Sequence, residues 1–272
     1  MDPAPPPAAP LPPRPVIVVL GSGRSGTSLL MQVLAALGMT LSERLIGPGQ
    51  ANPRGHFEDA PIVRIQADLL RRLGAWPYHP LPADWLDHPA TAAAEQDLAA
   101  ALAERLARCP APAPPWGFKD PRTAAFLPLW QRLFARLDLA PRYVLALRDP
   151  ASVVQSFMAT YGTGAAEAEA VWLRRTGEAL RHTRGRCHLV HYEDWFARPR
   201  AVAADLARHV GLDPAAALPE DLIRPDMDRA RPAAAALSRP EARALAQALS
   251  NCRGDAFDPD ALLALATGTG SG

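Results

Sequence analysis

Four short apolar runs punctuate the chain, and helical spacing fills the intervals between them. VIVVL (16–20) is continuous and mostly β-branched, the composition of a strand buried on both faces. WGFK (116–119), YVLAL (143–147) and HLVH (188–191) read as three further strands. After the first run, Leu29, Leu30, Val33, Leu34 and Leu37 recur at helical spacing, and Gly38 stands where a helix stops. Helices are also expected over 62–74, 92–109, 127–137, 151–161, 166–183 and 199–212. Strand and helix thus alternate four times. That alternation predicts βαβ units and a parallel sheet covered on both faces, an α/β fold of three layers.

The breaks between these elements are equally legible. Residues 1–14 are proline-rich and read as a flexible, partly polyproline tail. GPGQANPRGHFED (47–59) reads as a loop and PAPAPP (110–115) as a break. Residues 75–92 are irregular and carry Trp76, Tyr78, His79, Trp85 and His88, which makes them a candidate lid or acceptor-binding segment. Residues 213–272 are rich in Ala and Pro and are expected to add a helical extension. A single domain over 15–272 accommodates all of this.

Composition adds mostly exclusions. Of 272 residues, 49% are hydrophobic and 21% charged, and the formal net charge is +1. Such a balance gives no reason to expect nucleic acid or a membrane surface as partner, so any anion site must be local. Cys109, Cys187 and Cys252 are far apart and odd in number, which fits a reducing, cytoplasmic setting rather than a disulfide framework. No run approaches 18 apolar residues, and the start has no signal-peptide pattern. The histidines fall at no metal-binding spacing, and no metal site is expected. Oligomeric state is not readable.

The chemistry concentrates at the ends of the four strands, where ligands bind in open parallel sheets. GSGRSGTS (21–28) has the glycine spacing of a phosphate-binding loop, Gly21 to Gly26, with Ser28 in place, but Thr27 holds the usual lysine position. Backbone N–H groups of Ser25, Gly26, Thr27 and Ser28 would point at a phosphate, with Gly23 in the same loop and the following helix adding its positive end. Hydroxyls of Ser25, Thr27 and Ser28 add donors, and Arg24 supplies a cation. The bland alternative is a glycine-rich turn that packs strand to helix. The other strand ends carry Lys119-Asp120-Pro121-Arg122, Arg148-Asp149-Pro150 and Tyr192-Glu193-Asp194. A triphosphatase would want the lysine and an acidic strand end for Mg²⁺, so a metal-dependent NTP site fits poorly.

GSGRSGTS, LRDPASVVQS and YEDW together resemble the sulfotransferase family, over roughly residues 15 to 212. NPRGHFED (52–59) and GFKDPR (117–122) resemble segments of its bacterial and Golgi-type members, rather than the cytosolic phenol enzymes. The resemblance implies a P-loop NTPase-like fold and transfer of a sulfuryl group from 3′-phosphoadenosine-5′-phosphosulfate (PAPS), without metal. Arg148 and Ser156 then match the pair that binds the 3′-phosphate, and the loop holds the 5′-phosphosulfate with Arg24 as its cation. The cytosolic enzymes' C-terminal 3′-phosphate motif is absent, and Arg229 and Arg231 are candidates to replace it. Lys119 matches a catalytic lysine, Glu58 is the first candidate for the base, and His56 the second. Tyr192-Glu193-Asp194 reads as architectural. The acceptor, whether a small molecule, a glycan or a peptide, is not specified by any feature. A P-loop kinase for a small metabolite and a non-catalytic nucleotide-binding protein are the competing readings.

Overall fold

The first apolar run lies inside a four-stranded sheet, between two partners distant in sequence. In the computed structural model, which describes residues 13–49, 55–76, 79–108, 113–227 and 237–267, strand β1 (Arg14–Leu20) is flanked by β2 (Trp116–Lys119) and β3 (Leu139–Leu147), and β4 (His188–His191) lies beyond β3. All three pairings are parallel, with Val19 opposite both Lys119 and Val144, and Leu147 opposite His191. Parallel strands need crossovers, and the helices supply them on both faces, as the alternation in the sequence requires.

Side chains alternate across the sheet, so each strand feeds two cores. Val16, Val18, Leu20, Phe118, Leu145 and Leu189 face one side. There they meet α2 (Ala60–Arg72), α3 (Pro89–Arg108), α4 (Thr123–Arg136), α6 (Ala165–Thr183), α9 (Pro240–Ser250) and α10 (Pro259–Thr267). Ile17, Val19, Val144, Ala146 and Val190 face the other side, against α1 (Thr27–Ala36), α7 (Asp194–Ala197) and α8 (Pro199–Val210). Helix α5 (Pro150–Tyr161) packs Val154 and Phe157 against Ala168 and Val171 of α6. Three tryptophans anchor the larger core: Trp116, Trp130, tilted over Phe118 at 4.5 Å between centroids, and Trp172, which is 1% exposed.

Several expected boundaries move, each for a physical reason. β1 begins at Arg14, inside the expected tail, because its backbone pairs with Leu139 whatever its side chain. β3 likewise starts four residues before Tyr143. α3 begins at Pro89, three residues before its expected start, since proline is well suited to a first helical turn. α4 runs from Thr123 straight through Pro128, which lacks only one ladder donor near the start of the helix. Trp172 is core on α6, which removes it from any acceptor pocket, and Trp85 packs edge-on to Phe126 at 5.5 Å. Trp76 is 71% exposed. Tyr78, Cys109, Arg229 and Arg231 lie outside the described residues. Among the described residues no helix is long and apolar enough to cross a membrane.

At the end of β4, His191 is buried with Nε2 3.0 Å from the Cys252 carbonyl. Desolvation, followed by the nearby Arg253 charge, depresses its pKa to about 4. A depressed histidine binds fewer protons folded than unfolded between pH 6.5 and 4, so stability falls as pH drops through that window. Protonation in the unfolded state then costs roughly 3 kcal/mol by pH 4. A His191→Gln variant, which keeps a donor for the carbonyl, is expected to lose less stability than wild type between pH 6.5 and 4. Denaturant melts across that range measure the difference, and equal slopes would remove His191 from the acid response.

Candidate functional site

The loop after β1 is shaped by close approaches on both sides. Gly21 has φ +140°, and a β-carbon there would lie 2.7 Å from the Ala146 carbonyl of β3. Gly26 has φ +83°, caps α1, and a β-carbon on it would overlap the ring of Tyr192. Only glycine fits either place. The N–H of Ser25 closes a turn onto the Ser22 carbonyl at 3.2 Å, so that donor is turned inward rather than toward a ligand. The start of α1, with Thr27 as its first residue, presents the N–H groups that have no intrahelical acceptor. Within the loop the Ser22 hydroxyl is buried and has no hydrogen-bond partner among the described residues.

One pole of the site is built around Lys119, at the carboxyl end of β2. Its side chain is 4% exposed, and Nζ donates to Glu58 Oε1 at 2.9 Å and to Thr27 Oγ1 and Ser28 Oγ at 3.3 Å. The Ser28 hydroxyl donates in turn to the His56 carbonyl at 3.2 Å. Phe57, between His56 and Glu58, sits at φ +55°, a left-handed conformation that a bulky residue holds only under constraint. Two residues later the chain is firmly anchored. Asp59 caps α2 by accepting from the Ile62 N–H at 3.2 Å, and it pairs with buried Arg105 at 2.9 Å. The capping role open to Glu58 in the sequence thus belongs to Asp59, and Glu58 is turned to Lys119. The imidazole of His56 lies toward Gly49, and only its carbonyl joins the Lys119 cluster.

Residues behind Lys119 hold it still. Asp120 accepts from Gln66 Nε2 at 2.7 Å and pairs with Arg122 at 2.8 Å. Gln66 Oε1 accepts from the Trp130 indole at 3.1 Å and from the Thr123 hydroxyl at 3.3 Å. The Asp and Arg of KDPR are therefore a supporting pair, while its lysine faces the loop.

The second pole gathers Arg24, Arg148, Ser156 and Tyr192. Arg24 is a non-glycine residue at φ +72°, and its Nε donates to Ser156 Oγ at 3.0 Å. Arg148, just past β3, donates from Nη1 to the Arg24 carbonyl at 3.3 Å and lies 4.7 Å above the Tyr192 ring. The stack fixes a guanidinium plane without neutralising it. α5 starts at Pro150 and is capped by Asp149, which accepts from the Ser152 N–H at 2.8 Å, and this start carries Ser156 to Arg24. Tyr192 is tied down through its hydroxyl to the Met227 carbonyl.

The structure thus brings together Lys119, Glu58, Thr27 and Ser28 at one pole and Arg24, Arg148 and Ser156 at the other. Gly23 and Gly26 lie in the loop joining them, with Gly23 beside Phe157. Tyr192 was legible only as architecture, yet it contacts the loop at Gly26 and stacks on Arg148; its place one residue after a strand was the available signal. Nothing in the sequence points to the Asp59–Arg105 pair or to the orphaned Ser22 hydroxyl. Two cationic poles flanking a helix start suit a ligand with two separated anionic groups.

Residues 15–216 match the model of the sulfotransferase family. The sulfotransferase domain from the Synechococcus PCC 7002 olefin synthase is a solved structure of similar extent, 18% identical over 96% of each chain, with a TM-score of 0.46. No curated protein matches the chain. The family match spans most of the sequence and both poles of the site, and the chain belongs to the sulfotransferase family.

Proposed function

We propose that this chain moves a sulfuryl group from PAPS to a hydroxyl or amine acceptor by in-line displacement. The observation that carries the reading is the Lys119–Glu58 pair at 2.9 Å, beside the hydroxyls of Thr27 and Ser28 at the start of α1. It places a cation and a carboxylate together where a phosphate loop delivers its ligand. The donor's 5′-phosphosulfate suits that pole, and the unsatisfied Ser22 hydroxyl suits an anionic oxygen. Its 3′-phosphate suits Arg148 with Ser156, and Arg24, which donates to Ser156, lies close enough to serve either phosphate.

The roles follow from charge. When a sulfuryl group leaves a phosphate, negative charge grows on the phosphate oxygen, and Lys119 and the α1 N–H groups stabilise it. The acceptor hydroxyl must lose a proton, and Glu58 is the carboxylate in reach of the same spot. Lys119 donates to Glu58 Oε1 and so orients the carboxylate. The acceptor is a small molecule, a glycan or a peptide hydroxyl.

Thermal shift tests the donor half of the reading. 3′,5′-Adenosine bisphosphate at 100 times its Kd is expected to stabilise the chain by about 2.7 kcal/mol, with no comparable effect of ATP and Mg²⁺. The reverse outcome would point to a kinase. A shift by the bisphosphate without transfer of labelled sulfate to any acceptor panel would leave a binding protein. Glu58→Gln is expected to lower turnover by about 10²- to 10³-fold with the bisphosphate shift intact.

A further inference from the structure

At the opposite end of β4, away from the transfer site, two histidines and two aspartates converge from three segments. His188 opens β4, Asp205 and His209 lie on α8, and Asp255 lies on the turn after α9. Ligand atoms of His188, His209 and Asp255 all fall within 4.8 Å of one another. His188 Nδ1 is 3.3 Å from Asp255 Oδ2, and His209 Nδ1 is 3.2 Å from Asp255 Oδ1. His188 is 3% exposed in its side chain, and among the described residues its buried Nδ1 faces only Asp255, without the alignment of a well-formed hydrogen bond.

We propose that His188, His209 and Asp255 bind one divalent transition-metal ion of the zinc class, through the two Nδ1 atoms and the carboxylate. The separations fit: bonds of about 2.0–2.1 Å in a tetrahedral site set ligand atoms about 3.3 Å apart. The far nitrogens fit too. His209 Nε2 lies 3.2 Å from the Tyr143 carbonyl, and His188 Nε2 lies 3.7 Å from Asp205 Oδ2. The Tyr143 carbonyl can hold the proton on His209 Nε2 and free that ring's Nδ1 for an ion, and both Nδ1 atoms face Asp255. Two imidazoles and a carboxylate, with no thiolate, select zinc, cobalt or nickel over calcium or magnesium. Asp255 is 62% exposed, so water can complete the shell.

The ion would be structural. The turn carrying Asp255 pairs with β4 through Gly254 and Leu189, in both directions at 2.9 and 3.0 Å. A β-carbon on Gly254 would lie 2.7 Å from Asp205 and 3.2 Å from His188, so the turn is pressed against the cluster. The metal would fasten the C-terminal helices to β4 and α8.

The test uses the full chain without an affinity tag, stripped by chelator and titrated with Zn²⁺ against a chromophoric competitor. One equivalent is expected to bind, and Co²⁺ is expected to give the visible absorption of a tetrahedral site. His209→Gln and Asp255→Asn, both at the accessible side, are each expected to weaken Zn²⁺ binding by at least about 10-fold. Neither variant should alter the thermal shift by the adenosine bisphosphate, because the transfer site lies at the other strand end. Absence of stoichiometric Zn²⁺ binding, or binding that both variants leave unchanged, would overturn the proposal and leave a packing cluster of histidines and aspartates.

Discussion

Replacing Lys119 with methionine is expected to lower turnover by about 10³-fold or more. The chain has no other lysine, and this one is nearly fully buried between a carboxylate and two hydroxyls at the start of α1. Loss of a single donor aimed at developing charge costs about 10²- to 10³-fold in comparable sites, and here the donor also carries a full charge. The substitution has a second consequence. Glu58 is 8% exposed, so removing its partner leaves a buried carboxylate with nothing opposite. That should destabilise the chain by about 3 kcal/mol or more. The double variant Lys119→Met with Glu58→Gln removes both charges and is expected to recover most of the stability and none of the turnover. Single-turnover rates and denaturant melts on the three variants separate the effects. Turnover within tenfold of wild type in Lys119→Met would exclude the lysine from the transfer step.

The largest stability effect is expected at Arg105, which pairs with Asp59 rather than with the loop. Arg105 and Asp59 are 7% and 2% exposed in their side chains and 2.9 Å apart. Arg105→Leu leaves Asp59 buried and charged, at a cost of about 3–5 kcal/mol. Asp59→Asn alone keeps an oxygen to cap Ile62 and strands the arginine instead. Combined, the two substitutions should be less damaging than Arg105→Leu alone, because no unpaired charge remains. A double-mutant cycle in denaturant reads this directly, and simple additivity would show that the pair contributes nothing through its charges. Turnover should fall in Arg105→Leu as well, since Asp59 fixes the backbone that aims Glu58.

The contrast between these two predictions marks what the amino-acid sequence carries on its face. The four strands were legible because a strand buried on both faces has to be apolar along its length, as VIVVL and YVLAL are. The extra residues of β1 and β3 were hidden, since Arg14, Ala140, Pro141 and Arg142 join the sheet by backbone alone. Lys119, Arg148 and the glycine loop stood out because a charge at a strand end interrupts an apolar pattern. Their partners did not. Glu58 and Lys119 are 61 residues apart, and Arg24 and Ser156 are 132 apart, and nothing local reveals that the sheet order closes those distances. The place of Arg24 in the loop was legible, but its contact with Ser156 on α5 was not. His188 and His209 illustrate the same limit, for they meet only because α8 folds back over β4.

The order β2-β1-β3-β4 also acts as a ruler. Lys119 ends β2 and Arg148 follows β3, with β1 and its loop between them. Neighbouring strands are about 4.8 Å apart, so the two cationic poles stand on backbones roughly 10 Å apart. That span is fixed by hydrogen-bonded backbone and cannot be adjusted by side-chain substitution. A ligand engages both poles only if its anionic groups are about a nucleoside's length apart. Inorganic pyrophosphate or sulfate would fill one end and leave the other to water. Selection of a ligand by the spacing of its anionic groups is thus written into the sheet, whatever side chains line it.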